Sequence, residues 1–112
     1  MKYALLINSQ PGSYEAFSDA ERQAITAEYM AIGAEPECVG GAQLHGADTA
    51  TTVRVQDGQT LTTDGPFADT KEVFGGYFLF DVDGLDEAIA VAARIPAARL
   101  GGSVEVRPVM ER

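Results

Sequence analysis

A short β-hairpin signal near the middle of the chain limits its possible folds more than any other feature. Two runs rich in threonine and valine, TTVRV and TLTT, are separated by the letters QDGQ. Asp57 and Gly58 supply the two positive-φ positions that a type I′ turn requires, and such a turn joins adjacent antiparallel strands. A two-residue turn also sets the register, so that Arg54 pairs with Leu61. The hairpin leaves one stretch of chain on each side to form the rest of the fold.

Each of these stretches predicts the same order of strand, helix and strand. In the first, KYALLIN predicts a strand, Ser18 and Glu21 match a capping box at the start of a helix that Gly33 caps, and ECVGGAQLHG predicts a weaker strand. In the second, GGYFLFDV predicts a strand, LDEAIAVAARIP a helix and SVEVRPV the last strand. The apolar stripe predicted for the second helix consists of Leu85, Ile89, Ala92 and Ile95.

This order predicts an α+β fold with one domain over residues 1–112, a ferredoxin-like split βαβ arrangement with an inserted β-hairpin. Both helices are expected on one face of the sheet, against Phe78 and Phe80, whereas Tyr77 faces the other side. No further segment is left to cover that second face. An uncovered apolar sheet face is typical of an interface. We therefore expect a homodimer whose sheets pack face to face and form a dimeric α+β barrel.

Composition excludes several classes of partner. The formal net charge is −9, from 17 acidic and 8 basic residues, which disfavours nucleic acid and anionic membranes. The apolar part of the opening MKYALLIN is too short for the core of a signal peptide, so a cytoplasmic location is expected. Cys38 and His45 are the sole residues of their types, which provides neither a disulfide nor a metal site, and no cofactor is implied.

The second half of the chain resembles a known family. The string TVRVQDGQTLTTDGPFADTKEVFGGYFLFDV, followed by DEAIAVAARIP and GSVEVRPV, is similar to the DGPF branch of the YCII-related family, and the likeness runs from Thr52 to Val109. The resemblance implies a dimeric α+β barrel, related in fold to muconolactone isomerases and antibiotic-biosynthesis monooxygenases. It also implies an association with extracytoplasmic-function sigma factors, and no established reaction. Some relatives carry a His–Asp pair proposed as catalytic. Asp64 stands at the acidic position, but His45 follows the second strand instead of lying near the first helix.

Asp64 and Arg54 are the first candidates for a site. The letters DGPF predict a stiff corner, with Gly65 extended before Pro66 and Phe67 buried. Asp64 either serves that corner alone or acts as a general base or ligand acceptor at the rim of a cleft. Arg54 either forms a solvated ion pair or anchors a carboxylate or phosphate of a ligand. A regular hairpin puts the two side chains on opposite faces, so a shared pocket requires a bulge just before Asp64.

Four further residues complete the candidate site. Lys71 and Glu72 follow the corner, and we expect them to order the loop, with Lys71 paired to Glu72 or reaching back to Asp64 or Asp69. His45 lies at a strand end, as a surface or capping residue or as a weaker acid–base candidate. The phenol of Tyr77 is placed to donate a hydrogen bond to a ligand.

Two functions of different classes fit these observations. The first is a protein with a small-molecule cleft around the DGPF turn, with acid–base chemistry by Asp64. The second is a non-catalytic regulatory or stress-related module that binds a ligand or a protein and is associated with sigma-factor signalling. A polar cavity favours the first, whereas a filled interior and an apolar surface patch favour the second.

Overall fold

A computed structural model of the chain describes residues 1–68 and 70–111. These residues form six strands, two α-helices and two short 3₁₀ turns, Ala47–Thr49 and Pro96–Ala98. The strands and helices, in chain order, are β1 (Lys2–Ser9), α1 (Asp19–Gly33), β2 (Cys38–Gln43), β3 (Thr51–Gln56), β4 (Gln59–Asp64), β5 (Val73–Asp81), α2 (Leu85–Arg94) and β6 (Ser103–Pro108).

Four strands form an antiparallel sheet in the order β2-β5-β1-β6, and β3 and β4 form a separate two-stranded sheet. The two strands of each βαβ unit are not neighbours. β5 lies between β1 and β2, and β1 lies between β5 and β6. This is the interleaved order of the split βαβ arrangement. The predicted ferredoxin-like fold with an inserted hairpin is therefore confirmed.

The hydrophobic core lies between the four-stranded sheet and the two helices. Tyr3, Leu5 and Ile7 alternate along β1 and are buried, and Phe80 of β5 is fully buried beside them. Helix residues from both α1 and α2 belong to the same core cluster, which includes Ile32. The prediction that both helices cover one face of the sheet is confirmed.

Helix α2 presents a different stripe to the core from the one that the sequence predicts. Leu85 and Ile89 remain 51% and 49% exposed, and this part of the prediction is wrong. The buried residues of the segment are Ala88, Val91, Ala92 and Ile95. Alanine at two of these positions allows the helix backbone to lie close to the sheet. A prediction that assigns the bulkier residues Leu85 and Ile89 to the core therefore selects the wrong side of the helix.

Helix α1 begins as predicted and ends one residue later. The hydroxyl of Ser18 accepts a hydrogen bond from the Glu21 N–H at 3.1 Å, and the Glu21 carboxylate accepts from the Ser18 N–H at 3.0 Å. Gly33 is the last helical residue, and the cap is Ala34 with φ −90°, so the predicted cap at Gly33 is wrong. A Cβ on Gly33 would lie 3.4 Å from the ring of Phe78, at ordinary contact distance.

Strand β2 runs through the glycine pair Gly40 and Gly41, with a shift in its pairing to β5 between Cys38 and Gly40. Gly41 has φ +154°, and an added Cβ would lie 2.7 Å from the carbonyl oxygen of Tyr77. On the neighbouring strand, a Cβ on Gly76 would lie 2.8 Å from the carbonyl oxygen of Ala42. The two strands thus approach each other over glycine, as expected where backbones are in close contact. Gly76 is thus a point of close backbone approach, whereas a Cβ on Gly75 would meet no atom within 4 Å.

Two arginine–glutamate pairs tie α1 and the turn after it to the segment around the end of α2. Arg94 donates two hydrogen bonds of 2.8 Å to the Glu35 carboxylate, and Arg99 donates bonds of 2.9 and 2.6 Å to Glu28. These guanidinium groups hold the pKa values of both carboxyl groups below their ordinary range.

None of the helices in residues 1–68 and 70–111 is both long and apolar enough to cross a membrane.

We predict that Glu35→Gln lowers the free energy of unfolding at neutral pH but not in acid. The depressed pKa of Glu35 means that its contribution is present above the unfolded pKa of about 4.3 and is lost as the pH falls through the folded pKa. A partly exposed bidentate pair contributes at most about 1 kcal/mol. Urea unfolding from pH 7 to pH 3 measures the difference, with Glu15→Gln as an exposed control. A difference that persists at pH 3 would show that the pair is not its cause.

Candidate functional site

The hairpin has the register that its turn predicts. Asp57 and Gly58 both have positive φ, at 49° and 75°, and the pairs run without a shift from Gln56 opposite Gln59 to Thr51 opposite Asp64. Directly opposed residues share a face, so Arg54 lies on one face of the hairpin and Asp64 on the other. No bulge precedes Asp64. The shared pocket of Arg54 and Asp64, which required one, is not formed in the chain.

The corner after the hairpin is held by its main chain. The Gly65 N–H donates to the Ala50 carbonyl at 2.7 Å, and the Thr52 hydroxyl donates to the Gly65 carbonyl at 2.8 Å. Gly65 does not adopt the expected extended conformation. Its φ is +93°, a value that glycine adopts more readily than other residues. Phe67 is 81% exposed, so its predicted burial is wrong. The side chain of Asp64 is exposed and has no hydrogen bond or ion pair to any of residues 1–68 and 70–111.

The loop between the corner and β5 carries two of the candidates, Lys71 and Glu72. Lys71 is exposed and forms no ion pair within the described part of the chain, so neither a Lys71–Glu72 nor a Lys71–Asp64 pair is present. Asp69, the other predicted partner, lies outside the described residues. Glu72 is half-buried; its carbonyl accepts a hydrogen bond from the Thr70 hydroxyl, and its Oε1 atom is shielded from solvent with no partner among the described residues.

A cavity among the described residues lies between α1 and the β2–β5 side of the sheet. Its volume is about 710 Å³, within the usual range for small-molecule sites. Its walls include Ile25 of α1 and Phe78 of β5. The glycines at 41 and 76 also line it, and because they carry no side chains, space remains above the sheet at this end.

Two tyrosines bring phenol groups to the cavity. The hydroxyls of Tyr14 and Tyr29 lie 3.5 Å apart. Burial raises the pKa of Tyr29, and the hydrogen bond with Tyr14 raises it further. Tyr29 therefore stays protonated at physiological pH and is available as a hydrogen-bond donor. The ring of Tyr29 also stacks on Phe78, with centroids 6.5 Å apart, which fixes the position of its hydroxyl.

The ionisable residues that line the cavity, apart from the tyrosines, are Arg22 and His45. The Arg22 guanidinium donates to the main-chain carbonyls of Tyr14 and Glu15, at 2.9 and 3.1 Å, and so joins the loop before α1 to the helix. None of the aspartates and glutamates in residues 1–68 and 70–111 lines the cavity. No group of three metal-ligating side chains is found in the same residues.

The cavity contains two of the six predicted site residues. His45 and Tyr77 border it, while Arg54, Asp64, Lys71 and Glu72 do not. The register of Tyr77 with Leu6 puts its side chain on the sheet face away from the helices, as predicted, so the strand backbone forms that part of the wall.

Three of the ionisable residues that line the cavity are not predicted from the sequence: Tyr14, Arg22 and Tyr29. One signal was available for two of them. Arg22 and Tyr29 are seven residues apart, two helical turns, and therefore lie on the same side of α1. Tyr14 belongs to the loop before the helix, and nothing in its local sequence indicates that it meets Tyr29.

The chain is similar to known proteins over its whole length. The sequence model of the family described as the YCII-related domain matches residues 1–112. A protein of Rhizobium meliloti (strain 1021), described as uncharacterized protein R00369, is 34% identical over 114 residues, which span 97% of this chain and 92% of that protein.

One solved structure shares the fold. It is 5-chloro-2-hydroxyhydroquinone dehydrochlorinase (TftG) from Burkholderia phenoliruptrix AC1100, in complex with 2,5-dihydroxybenzoquinone. The TM-score is 0.57 at 17% identity, and the match covers 100% of this chain and 96% of that one. At this identity the likeness concerns the fold alone.

We predict that the effects of Arg54→Ala and Asp64→Ala on the free energy of unfolding add. The two side chains lie on opposite hairpin faces and share no partner, and such pairs add to within about 0.3–0.5 kcal/mol. A double-mutant cycle measured by urea unfolding tests this. An interaction energy above about 1 kcal/mol would mean that the two residues meet after all.

Proposed function

The chain belongs to the YCII-related family, and we propose that it binds a small ring compound with acidic hydroxyl or carboxylate groups in the cavity between α1 and the sheet. The observation that carries this proposal is the charge of the cavity. The chain has a net charge of −9, yet the described cavity lining includes Arg22 and His45 and no carboxylate. The proposal thereby moves the predicted cleft from the DGPF turn to the cavity beside the first half of β5.

The electrostatic environment favours an anion over a cation. A carboxylate in a partly desolvated cavity repels an anionic ligand and attracts a cationic one, and the described lining has none. The Arg22 guanidinium is a permanent positive charge, and its hydrogen bonds to main-chain carbonyls hold it at the cavity rim. Asp19 lies 3.8 Å from this guanidinium but is not part of the described lining, so a ligand that carries negative charge meets no carboxylate among the described lining residues.

The shape and polarity of the walls favour a ring. Ile25, Tyr29 and Phe78 provide apolar and aromatic surface, which is suited to contact with a flat ligand. The phenols of Tyr14 and Tyr29 provide donors for oxygen atoms on that ligand. The structural neighbour was solved with 2,5-dihydroxybenzoquinone, a ring that carries carbonyl and hydroxyl oxygens, which supports this ligand class.

The chemistry that fits such a ligand is proton transfer. An imidazole both donates and accepts protons near neutral pH, so His45 is our candidate for general acid and base. The proposal transfers this role to His45 from Asp64, which does not line the cavity. The neighbour's activity, a dehydrochlorination, is a reaction of the same small-ring class, and it supports catalysis without identifying a substrate.

We also propose that the protein is a homodimer joined through the sheet face away from the helices. This open sheet face is formed by Lys2, Ala4, Leu6, Tyr77, Leu79, Asp81, Glu105 and Arg107. Its two basic and two acidic residues cancel, although the whole chain has a net charge of −9. A second copy can therefore approach this face without repulsion between like charges, whereas most of the remaining surface is acidic.

A regulatory role remains the second candidate function. Val53 and Val55 of the hairpin are 58% and 69% exposed, and this apolar surface favours protein contacts. In that case the same cavity would sense a metabolite instead of converting it. The DGPF branch, the sigma-factor association and the cytoplasmic location stay predictions.

We predict that 2,5-dihydroxybenzoquinone stabilises the protein against heat and that its neutral dimethoxy analogue does so at least tenfold more weakly by apparent Kd. A bound ligand stabilises the folded state in proportion to its affinity. Tyr29→Phe removes one donor, and Arg22→Gln removes the charge; each should weaken binding of the acidic ring about three- to tenfold, in line with about 0.6–1.4 kcal/mol for one hydrogen bond. Thermal unfolding across a ligand titration measures all four.

The control for this titration is Asp64→Asn, which should bind like the wild type because Asp64 does not line the cavity. Circular dichroism checks that Arg22→Gln keeps its fold, since Arg22 also holds the loop before α1. Equal stabilisation by the acidic and the methylated ring would contradict the preference for anions. A loss of binding in Asp64→Asn alone would return the site to the DGPF corner.

We predict that Leu79→Arg converts the dimer to a monomer. Leu79 lies on the open sheet face, and an added charge there is desolvated without a partner when two copies pack together. Ile89→Arg is the matched control, because Ile89 is an apolar residue that is 49% exposed on α2. Sedimentation equilibrium at micromolar concentration measures both. A wild-type monomer, or an equal effect of both variants, would contradict an interface on this face.

A further inference from the structure

The hairpin of β3 and β4 stands apart from the body of the protein. It forms its own two-stranded sheet, and every residue in it except Thr52 is exposed. The molecule measures 45 × 43 × 19 Å, and its radius of gyration is 15.9 Å. A compact chain of this length has a radius of gyration of about 13 Å. The hairpin is thus an arm, and a lone two-stranded arm is at best marginally stable in water.

The two faces of this arm differ in chemistry. One face, here named the valine face, consists of Thr51, Val53, Val55, Thr60, Thr62 and Asp64. Asp64 lies at the end of this face away from the turn and is its one charged residue. The rest of the face, called its upper part, consists of β-branched side chains, and its two valines are more than half exposed. The opposite face carries Arg54, Gln56 and Gln59 with one leucine. Alternation of this kind is typical of a strand pair that packs on one side.

We propose that the valine face packs against a second copy of this chain. The proposal rests on the dimer proposed above and assigns the arm a place in its interface. It is compatible with the negative charge of the copies, because the upper valine face is uncharged and the open sheet face is neutral overall. A cationic partner of another kind would be recognised by the acidic surface instead of by a row of valines and threonines.

The size of the interface supports the same occupant. At strand spacings of about 4.8 Å and a rise of about 3.3 Å per residue, the face of four strands projects about 440 Å² and the hairpin about 200 Å² more. A standard interface buries roughly 800 Å² on each partner. The projected area of the four-stranded face is below this value, and the arm enlarges that projected area by almost half.

The test replaces both valines together, in Val53→Thr with Val55→Thr. Threonine keeps the β-branched shape and the strand preference but replaces a methyl group with a hydroxyl, so the hairpin itself should persist. We expect the dimer Kd, measured by sedimentation equilibrium, to rise at least tenfold. Leu61→Thr is the control on the opposite face and should change the Kd less than threefold.

A second measurement observes the arm directly. Amide hydrogen exchange in the hairpin strands should be slow at protein concentrations above the dimer Kd. It should become at least tenfold faster on dilution below the Kd and in the Leu79→Arg monomer. Exchange within β1, which lies in the core of each copy, should change little.

The outcomes separate the two proposals. A monomeric wild type would overturn both the dimer and the arm contact. A wild-type dimer whose Kd and hairpin exchange are unaffected by the valine substitutions would overturn the arm contact alone. An equal effect of Leu61→Thr would overturn the assignment to the valine face.

Discussion

The alternation of side chains along β1 is the constraint on which the rest of the structure depends. β1 lies inside the sheet and pairs with β5 on one side and β6 on the other. Its buried residues Tyr3, Leu5 and Ile7 all face the helices, so every residue paired with them must face the same way. The register of a single strand thereby assigns both faces of its two neighbours. A shift of one residue would reverse all of these assignments at once.

The space between the sheet and the helices is filled at one end and contains a cavity at the other. Over the part near Phe80, the side chains of both helices fill the space, and Ala88 allows α2 to come close. At the other end, two strands meet over glycine, and α1 spans a cavity lined by Tyr14 and Tyr29. A protein interior is normally packed without such voids, and a space of this size is within the range of small-molecule sites, so the proposed ligand is assigned to it.

Local features of the fold follow from the sequence alone. The capping box of Ser18 and Glu21 and the turn at Asp57 depend on hydrogen bonds and dihedral angles within a few residues, and both form as predicted. Errors arise where a choice depends on distant partners. Ile89 looks like a core residue by spacing, yet the face that meets the sheet is the one with smaller side chains. Phe67 looks like a buried aromatic, yet none of the chain's described elements covers it.

The sequence by itself determined the order of strands and helices, the hairpin register and the family, because periodicity, turn chemistry and motif spacing are local properties of the chain. The tertiary structure decided where the candidate cavity lies. Tyr14, Tyr29 and His45 belong to a loop, a helix and a strand end, and only the packing of α1 over β2 and β5 brings them around one cavity. The conspicuous DGPF motif does not line this cavity, and a regular hairpin ladder holds Asp64 and Arg54 on opposite faces. A cavity depends on which surfaces meet, and no stretch of sequence contains that information on its own.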